Sequence, residues 1–222
     1  MTLYVIGVGP GDPSLITVKG LEVLRDSKVV TGWGSVIERF SSYIQGKQVI
    51  RLNYKEEEKQ LNEIMKLAKN ENVAFLNHGD PAVSDFQLLN KLKKLCMDNR
   101  VELVIIPGVS SIIRALHIIG KDLSEIVFLT FHVRGEINYD EIKKFLNTGR
   151  GILINPEPYP DGVKRIALKL KEYGCNFITL TIMEKLTYQD EKVYNFNVDE
   201  IITRDLKFSD LTIVYIPPCS FS

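Results

Sequence analysis

The chain has 222 residues, 45% of them hydrophobic and 25% charged, enough for one large core or two of about 100 residues each. Its 28 basic and 28 acidic side chains cancel, so no global field draws it to nucleic acid or to an anionic membrane. No apolar run reaches the roughly 18 residues of a membrane span, and a strand begins at once where a signal peptide would lie; a cytoplasmic globular protein is expected.

The first strand, Leu3 to Val8, runs into Gly7-Val8-Gly9-Pro10-Gly11-Asp12-Pro13. A glycine-rich turn after a buried strand is where an α/β protein brings backbone close to a ligand. A dinucleotide fingerprint starting at Gly7 would need glycine at Asp12, and no Gly-Lys-Ser/Thr occurs, so the two commonest phosphate loops are excluded. Two prolines and an acid also remove amide donors and add negative charge.

Thr17 is placed to cap a helix through Ser27, with Val18, Leu21 and Leu24 on one face. After Val29-Val30, the glycines of Thr31-Gly32-Trp33-Gly34 suggest a loop. An amphipathic helix is predicted over 55–70, with Leu61, Ile64, Met65 and Ala68 inward and the run Lys55 to Lys59 solvated. Strand Val73 to Asn77 ends in His78-Gly79-Asp80-Pro81. A helix from Phe86 to Met97 and strand Glu102 to Ile106 follow, the latter ending in Pro107-Gly108-Val109-Ser110-Ser111. Three strands thus end at glycine-containing turns on what should be one edge, where open parallel sheets bind ligands.

A second α/β half is expected from about residue 111. Helix Ile112 to Ile119 stops at Gly120 as a left-handed cap, a helix over 161–173 ends at Gly174, and another helix is expected over 139–147. Strands are expected at Ile126 to Phe131, Gly151 to Asn155, Phe177 to Met183, Lys192 to Phe196 and Leu211 to Ile216. Cys96, Cys175 and Cys219 form no Cys-x-x-Cys pair and read as inert thiols. His78, His117 and His132 lack metal-ligand spacing, so no metal is expected.

The three turns come in the order and spacing of the tetrapyrrole methylases, which the chain resembles over essentially its whole length. Within that family the second half is similar to the cobalt-precorrin-7 (C5)-methyltransferase group, also called the precorrin-6Y methylase E component. The run Met183-Glu184-Lys185-Leu186-Thr187-Tyr188-Gln189-Asp190-Glu191-Lys192-Val193 is similar to that group's E-N/K-L-x-Y-P-D-E-x-I, and His132-Val133-Arg134 to its H-G-R. Three departures stand out: Ala82-Val83-Ser84 after Gly-Asp-Pro where a glycine or bulky residue and an aromatic are usual, Val133 for glycine, and Gln189 for proline.

The resemblance implies two α/β domains, 1–110 and 111–222, with S-adenosylmethionine in the cleft between them, and a homodimer. It implies cofactor contacts from Gly9, Pro10, Gly11, Gly79, Asp80, Val83, Ser110, Ser111, Ile154, Met183 and the Pro217 region. Adenine, ribose and a zwitterionic methionine tail suit apolar walls, backbone groups and an acid such as Asp80. The implied reaction is methylation of carbon 5 of a corrin-ring precursor in cobalamin biosynthesis. Carbon 15 methylation and decarboxylation are then left to a separate chain.

Transfer from a sulfonium gains mainly from alignment and exclusion of water. No protein nucleophile is expected. Glu184 or His132 are candidate bases, and Arg134 and Arg114 candidate partners for the substrate's carboxylates. Plainer readings stand beside these: Asp80, Ser110 and Ser111 as helix caps, Glu184 as a solvated loop acid, Met183 as core, and His132 and Arg134 as surface groups. Alternative functions are another methylase of this fold, acting on diphthine or RNA ribose, and a non-catalytic binder of cofactor or tetrapyrrole.

Overall fold

The computed structural model describes residues 1–219. The chain divides into two compact units, Met1–Ser110 and Ser111–Ser222.

The first unit is built from β1 (Thr2–Gly7), α1 (Val18–Asp26), β2 (Val29–Trp33), α2 (Gly34–Arg39), β3 (Gln48–Leu52), α3 (Glu57–Ala68), β4 (Val73–Asn77), α4 (Phe86–Asn99) and β5 (Glu102–Ile106). Its strands form one parallel sheet in the order β3-β2-β4-β1-β5. The central strands read as continuous apolar runs because both faces are covered. On one face Leu3, Val5 and Phe75 pack with Leu61, Ile64 and Met65 of α3 and Leu88 and Leu92 of α4. On the other, Ile6, Val30, Ala74 and Leu76 pack with Val23 and Leu24 of α1 and Val36 and Ile37 of α2.

The inward face of α3 is the predicted one: Leu61, Ile64, Met65 and Ala68 are all buried. Elsewhere packing overrides the simpler pattern. Thr17 caps α1 by accepting from the Gly20 amide at 3.1 Å, but the face that turns inward is Gly20, Val23 and Leu24. Val18 is 76% exposed, because the helix approaches the sheet at Gly20, where a Cβ would fall 2.9 Å from Ile6. Thr31 to Trp33 is strand instead of loop; Gly32 is there because a Cβ would lie 2.7 Å from the Leu76 carbonyl. Glu57, expected on a solvated face, is buried and paired with Lys91 at 2.5 Å.

The second unit contains α5 (Ser111–Ile119), β6 (Ile126–Thr130), α6 (Glu141–Leu146), β7 (Gly151–Asn155), α7 (Gly162–Glu172), β8 (Thr179–Glu184), β9 (Lys192–Asn197), α8 (Val198–Thr203) and β10 (Thr212–Ile216). Its sheet is mixed, in the order β6-β7-β10-β8-β9. β6 and β7 are parallel, while β10 is antiparallel to both of its neighbours, β7 and β8. One face carries the core: Leu129, Ile152, Ile154, Leu180, Ile182, Val214 and Ile216 pack with Ile142 of α6, Ile166 and Leu170 of α7 and Ile201 of α8. Gly120 and Gly174 follow α5 and α7 at φ +64° and +80°, the left-handed backbone expected of Gly120 and shared by Gly174. Cys175 and Cys219, 44 positions apart, bring their sulfurs to 3.6 Å, a proximity that spacing alone does not reveal. Among the described residues no helix is long and apolar enough to cross a membrane, and no group of three or more His, Cys, Asp or Glu side chains forms a metal site.

Candidate functional site

The register Gly7↔Asn77 and Ile6↔Ile106 puts the ends of β1, β4 and β5 level with one another, so the three glycine turns leave the sheet side by side. Their backbones then interlock. The Val8 amide donates to the Asn77 carbonyl at 3.0 Å, and Gly9 and Gly79 exchange amide-to-carbonyl bonds at 3.3 and 3.0 Å. Gly7 and Gly108 nearly touch: a Cβ on Gly7 would lie 2.6 Å from the Gly108 nitrogen, and one on Gly108 would lie 2.5 Å from the Gly7 carbonyl and from the Gly79 oxygen. Only glycine permits that approach. Gly9 and Gly79 hold φ +86° and +65°.

Asp80 is the clasp of this arrangement. One carboxylate oxygen accepts from the Ala82 amide at 2.7 Å, forming a local turn, and the other accepts from the Gly108 amide of the third loop at 2.8 Å. The Val83 amide closes the same turn onto the Asp80 carbonyl at 3.0 Å. Neither oxygen caps the following helix. Arg39 of α2 donates to the Gly11 carbonyl at 2.8 Å and to Nδ1 of His78 at 3.0 Å; since a guanidinium only donates, Nδ1 is the acceptor and the imidazole is neutral. Asp12 accepts from the Ser14 amide at 2.8 Å, which holds its carboxyl below the usual range. Pro10 and Gly11 are buried, Val83 is half-buried, and Ser110 is buried just before Ser111 opens α5.

The loops themselves carry no lysine or arginine. Their chemistry is that of main-chain groups, a buried serine hydroxyl, the carboxylates of Asp12 and Asp80 and apolar contacts, which matches an uncharged or zwitterionic organic ligand far better than a phosphate.

In the second unit β6, β7 and β8 run in one direction, so His132-Val133-Arg134, Asn155 and Glu184 emerge at one edge, where β10 begins. His132 and Arg134 are exposed there. Surrounding protein lowers the His132 pKa, with the Asp210 carboxylate pulling the other way.

Five of the expected site residues meet other constraints at this sheet. Glu184, a candidate base, accepts from the Ser209 amide at 2.5 Å, and its charge, after burial, helps to raise the pKa of Tyr194; its carboxylate fixes the approach to β10. Arg114, a candidate substrate cation, makes a bidentate pair with Glu191 at 2.6 and 3.2 Å, which raises its own pKa and lowers that of Glu191. Ile154 turns its fully buried side chain into the core with Ile152, whereas Met183 alternates onto the opposite face from Leu180 and Ile182, so the two cannot line one wall with their side chains. Pro217 follows β10, which is antiparallel to β8: Ile216 lies beside Ile152 while Ile213 lies beside Met183, about 10 Å apart along the strand at its usual rise.

Gly108 and Glu191 lie inside the quoted motifs without being named as site residues, and Arg39 lies outside every motif.

The sequence pattern of the Tetrapyrrole (Corrin/Porphyrin) Methylases matches residues 2–202. The probable cobalt-precorrin-7 C(5)-methyltransferase of Methanocaldococcus jannaschii is 30% identical over 220 residues, covering 95% of each chain. The human diphthine methyl ester synthase is 34% identical over 160 residues, covering 66% of this chain and 54% of that protein. The crystal structure of the precorrin-6Y methylase of Archaeoglobus fulgidus superposes with a TM-score of 0.73 at 22% identity over 99% of both chains, a likeness of fold.

Proposed function

The chain belongs to the tetrapyrrole (corrin/porphyrin) methylases, and from that premise we propose that it methylates carbon 5 of a cobalt-precorrin-7 or precorrin-6Y type macrocycle in cobalamin biosynthesis, using S-adenosylmethionine. The observation that carries the specific reading is the match along 95% of both chains to the M. jannaschii relative named for that reaction. The human diphthine enzyme is similar over little more than half its length.

The first unit's loops fit the cofactor. Close glycine packing brings the three turns together, Ser110 offers a buried hydroxyl, and the turns carry no lysine or arginine of their own for a phosphate. When bound, S-adenosylmethionine supplies an electrophilic methyl group on a sulfonium. What the chain adds is placement: Gly9, Pro10, Gly11, Gly79, Val83, Ser110 and Ser111 line the site, and Asp80 fixes the third loop against the second. Alignment of this kind is the main source of rate in a displacement whose nucleophile is the substrate's own carbon. With Glu184 engaged by Ser209, we assign proton acceptance to an imidazole nitrogen of His132, whose pKa the surrounding protein lowers. Arg134 is the partner for a substrate carboxylate. A homodimer, and a separate chain for methylation at carbon 15 with decarboxylation, belong to the same reading.

S-adenosylhomocysteine at about 100 times its Kd should stabilise the fold by about 2.7 kcal/mol, a rise in Tm of roughly 5–10 °C for a chain of this size. Incubation with S-adenosylmethionine and the corrin precursor should then give a product heavier by one methylene unit without carbon dioxide release. A thermal shift without methylation of the macrocycle, and with methylation of a diphthine intermediate, would transfer the assignment to that substrate.

A further inference from the structure

Between β8 and β9 the chain follows Glu184-Lys185-Leu186-Thr187-Tyr188-Gln189-Asp190-Glu191, and two of these residues, Lys185 and Thr187, hold φ of +50° and +67°. Neither is glycine, and for β-branched Thr187 the left-handed region is a true outlier. Strain of this kind persists only where surroundings impose it, and it gathers at functional sites. Here the surroundings are identifiable. Glu191 accepts from Nη2 and Nε of Arg114, and the oxygen facing Nε also accepts from the Thr187 amide at 2.7 Å. The Lys185 amide donates to the Leu211 carbonyl at 2.8 Å, and the Lys185 ammonium pairs with Asp190 at 2.5 Å. One carboxylate therefore ties the strained Thr187 to a guanidinium on α5, one turn beyond Ser110 and Ser111.

The Arg114–Glu191 pair is partly open to solvent, with the two side chains 42% and 20% exposed. Pairs so placed contribute little to overall stability. What a bidentate pair does supply is a fixed geometry. The loop it fixes leaves the carboxyl end of β8, on the edge where His132 and Arg134 emerge from β6, and such edges are where ligands of α/β sheets bind.

We propose that loop 184–191 recognises the macrocycle and that Arg114 and Glu191 are positioning residues, which act on the substrate only by holding this loop in its strained form. The inference rests on the reading given under Proposed function. It gives Arg114 a role different from direct pairing with a substrate carboxylate: its charge is spent on Glu191, and removing Glu191 does as much harm as removing Arg114.

The test is a double-mutant cycle of Glu191→Gln and Arg114→Met in the full chain, with steady-state methylation of the corrin precursor, calorimetry with S-adenosylhomocysteine, and thermal melting. Each single variant should raise KM for the macrocycle about tenfold, leave affinity for S-adenosylhomocysteine within about twofold, and shift Tm by no more than about 2 °C. The double variant should cost no more than either single one. Fully additive losses, or a matching loss of S-adenosylhomocysteine affinity, would overturn the positioning role. So would an unchanged macrocycle KM in Glu191→Gln while the unaltered chain turns over normally. An unaltered chain that binds S-adenosylhomocysteine but does not methylate the precursor would instead remove the functional reading, and this inference with it.

Discussion

Gly108→Ala should lower Tm by roughly 6–12 °C and abolish measurable binding of S-adenosylhomocysteine. The added methyl would sit 2.5 Å from the Gly7 carbonyl and the Gly79 oxygen, both main-chain atoms in turns already cross-linked by Gly9–Gly79 hydrogen bonds. No side chain can rotate away, so the turns must separate. Overpacking at a well-ordered site costs about 1–3 kcal/mol and more where backbone is involved, and each kcal/mol is about 2–4 °C in a chain of this length. Gly7→Ala should behave alike, since the same contact is approached from the other side. Gly79→Ala is the control: a Cβ there meets nothing within 4 Å, so only its φ of +65° resists substitution, at about 1 kcal/mol. Equal losses at positions 79 and 108 would mean that backbone conformation, and not the close approach of the turns, sets the cost.

Asp80→Ala should weaken S-adenosylhomocysteine binding tenfold or more and destabilise the fold by about 1–3 kcal/mol, because the Gly108 and Ala82 amides lose their acceptor together. Asp80→Asn should fall between, since an amide side chain has one oxygen where two are needed. Calorimetry and melting separate two roles. If affinity falls while Tm holds, the carboxylate touches the ligand; if both fall together, it acts through the third loop, as its hydrogen bonds indicate. No change in either would remove Asp80 from the site.

The legible parts of the sequence were those in which one local cause dominates. Leu61, Ile64, Met65 and Ala68 declare a helix face by spacing alone, and the apolar stretches at Leu3, Val73 and Glu102 end in glycine turns that a parallel sheet brings to one edge. Gln48–Leu52 escaped notice because an edge strand carries only half its burial. Glycines also mislead: Gly32 marks a strand pressed against Leu76, not a turn. The Asn197–Glu200 capping box at α8 was readable in principle as Asn-x-x-Glu. Arg114–Glu191, 77 positions apart, and Arg39–Gly11, 28 apart, carry no local signal. Such pairs exist only once the sheet has been assembled, and in the second unit the antiparallel β10 moves Pro217 to the far edge in a way that no periodicity records.

The central place of β1 in its sheet also bears on how the protein is made. β1 is flanked by β4 and β5, whose residues pair with it from 70 to 100 positions further along the chain. At the ribosome's pace of about 5–20 residues per second, roughly 5–20 s separate synthesis of β1 from that of its last neighbour. Through that interval Leu3, Val5 and Ile6, each no more than 1% exposed in the finished fold, lack their final partners, and long-range parallel pairing is itself slow. The nascent β1 can take up β4 once Asn77 has been made, but its other edge stays open until Ile106 follows. The first turn to be synthesised waits for the last of the three before it can close.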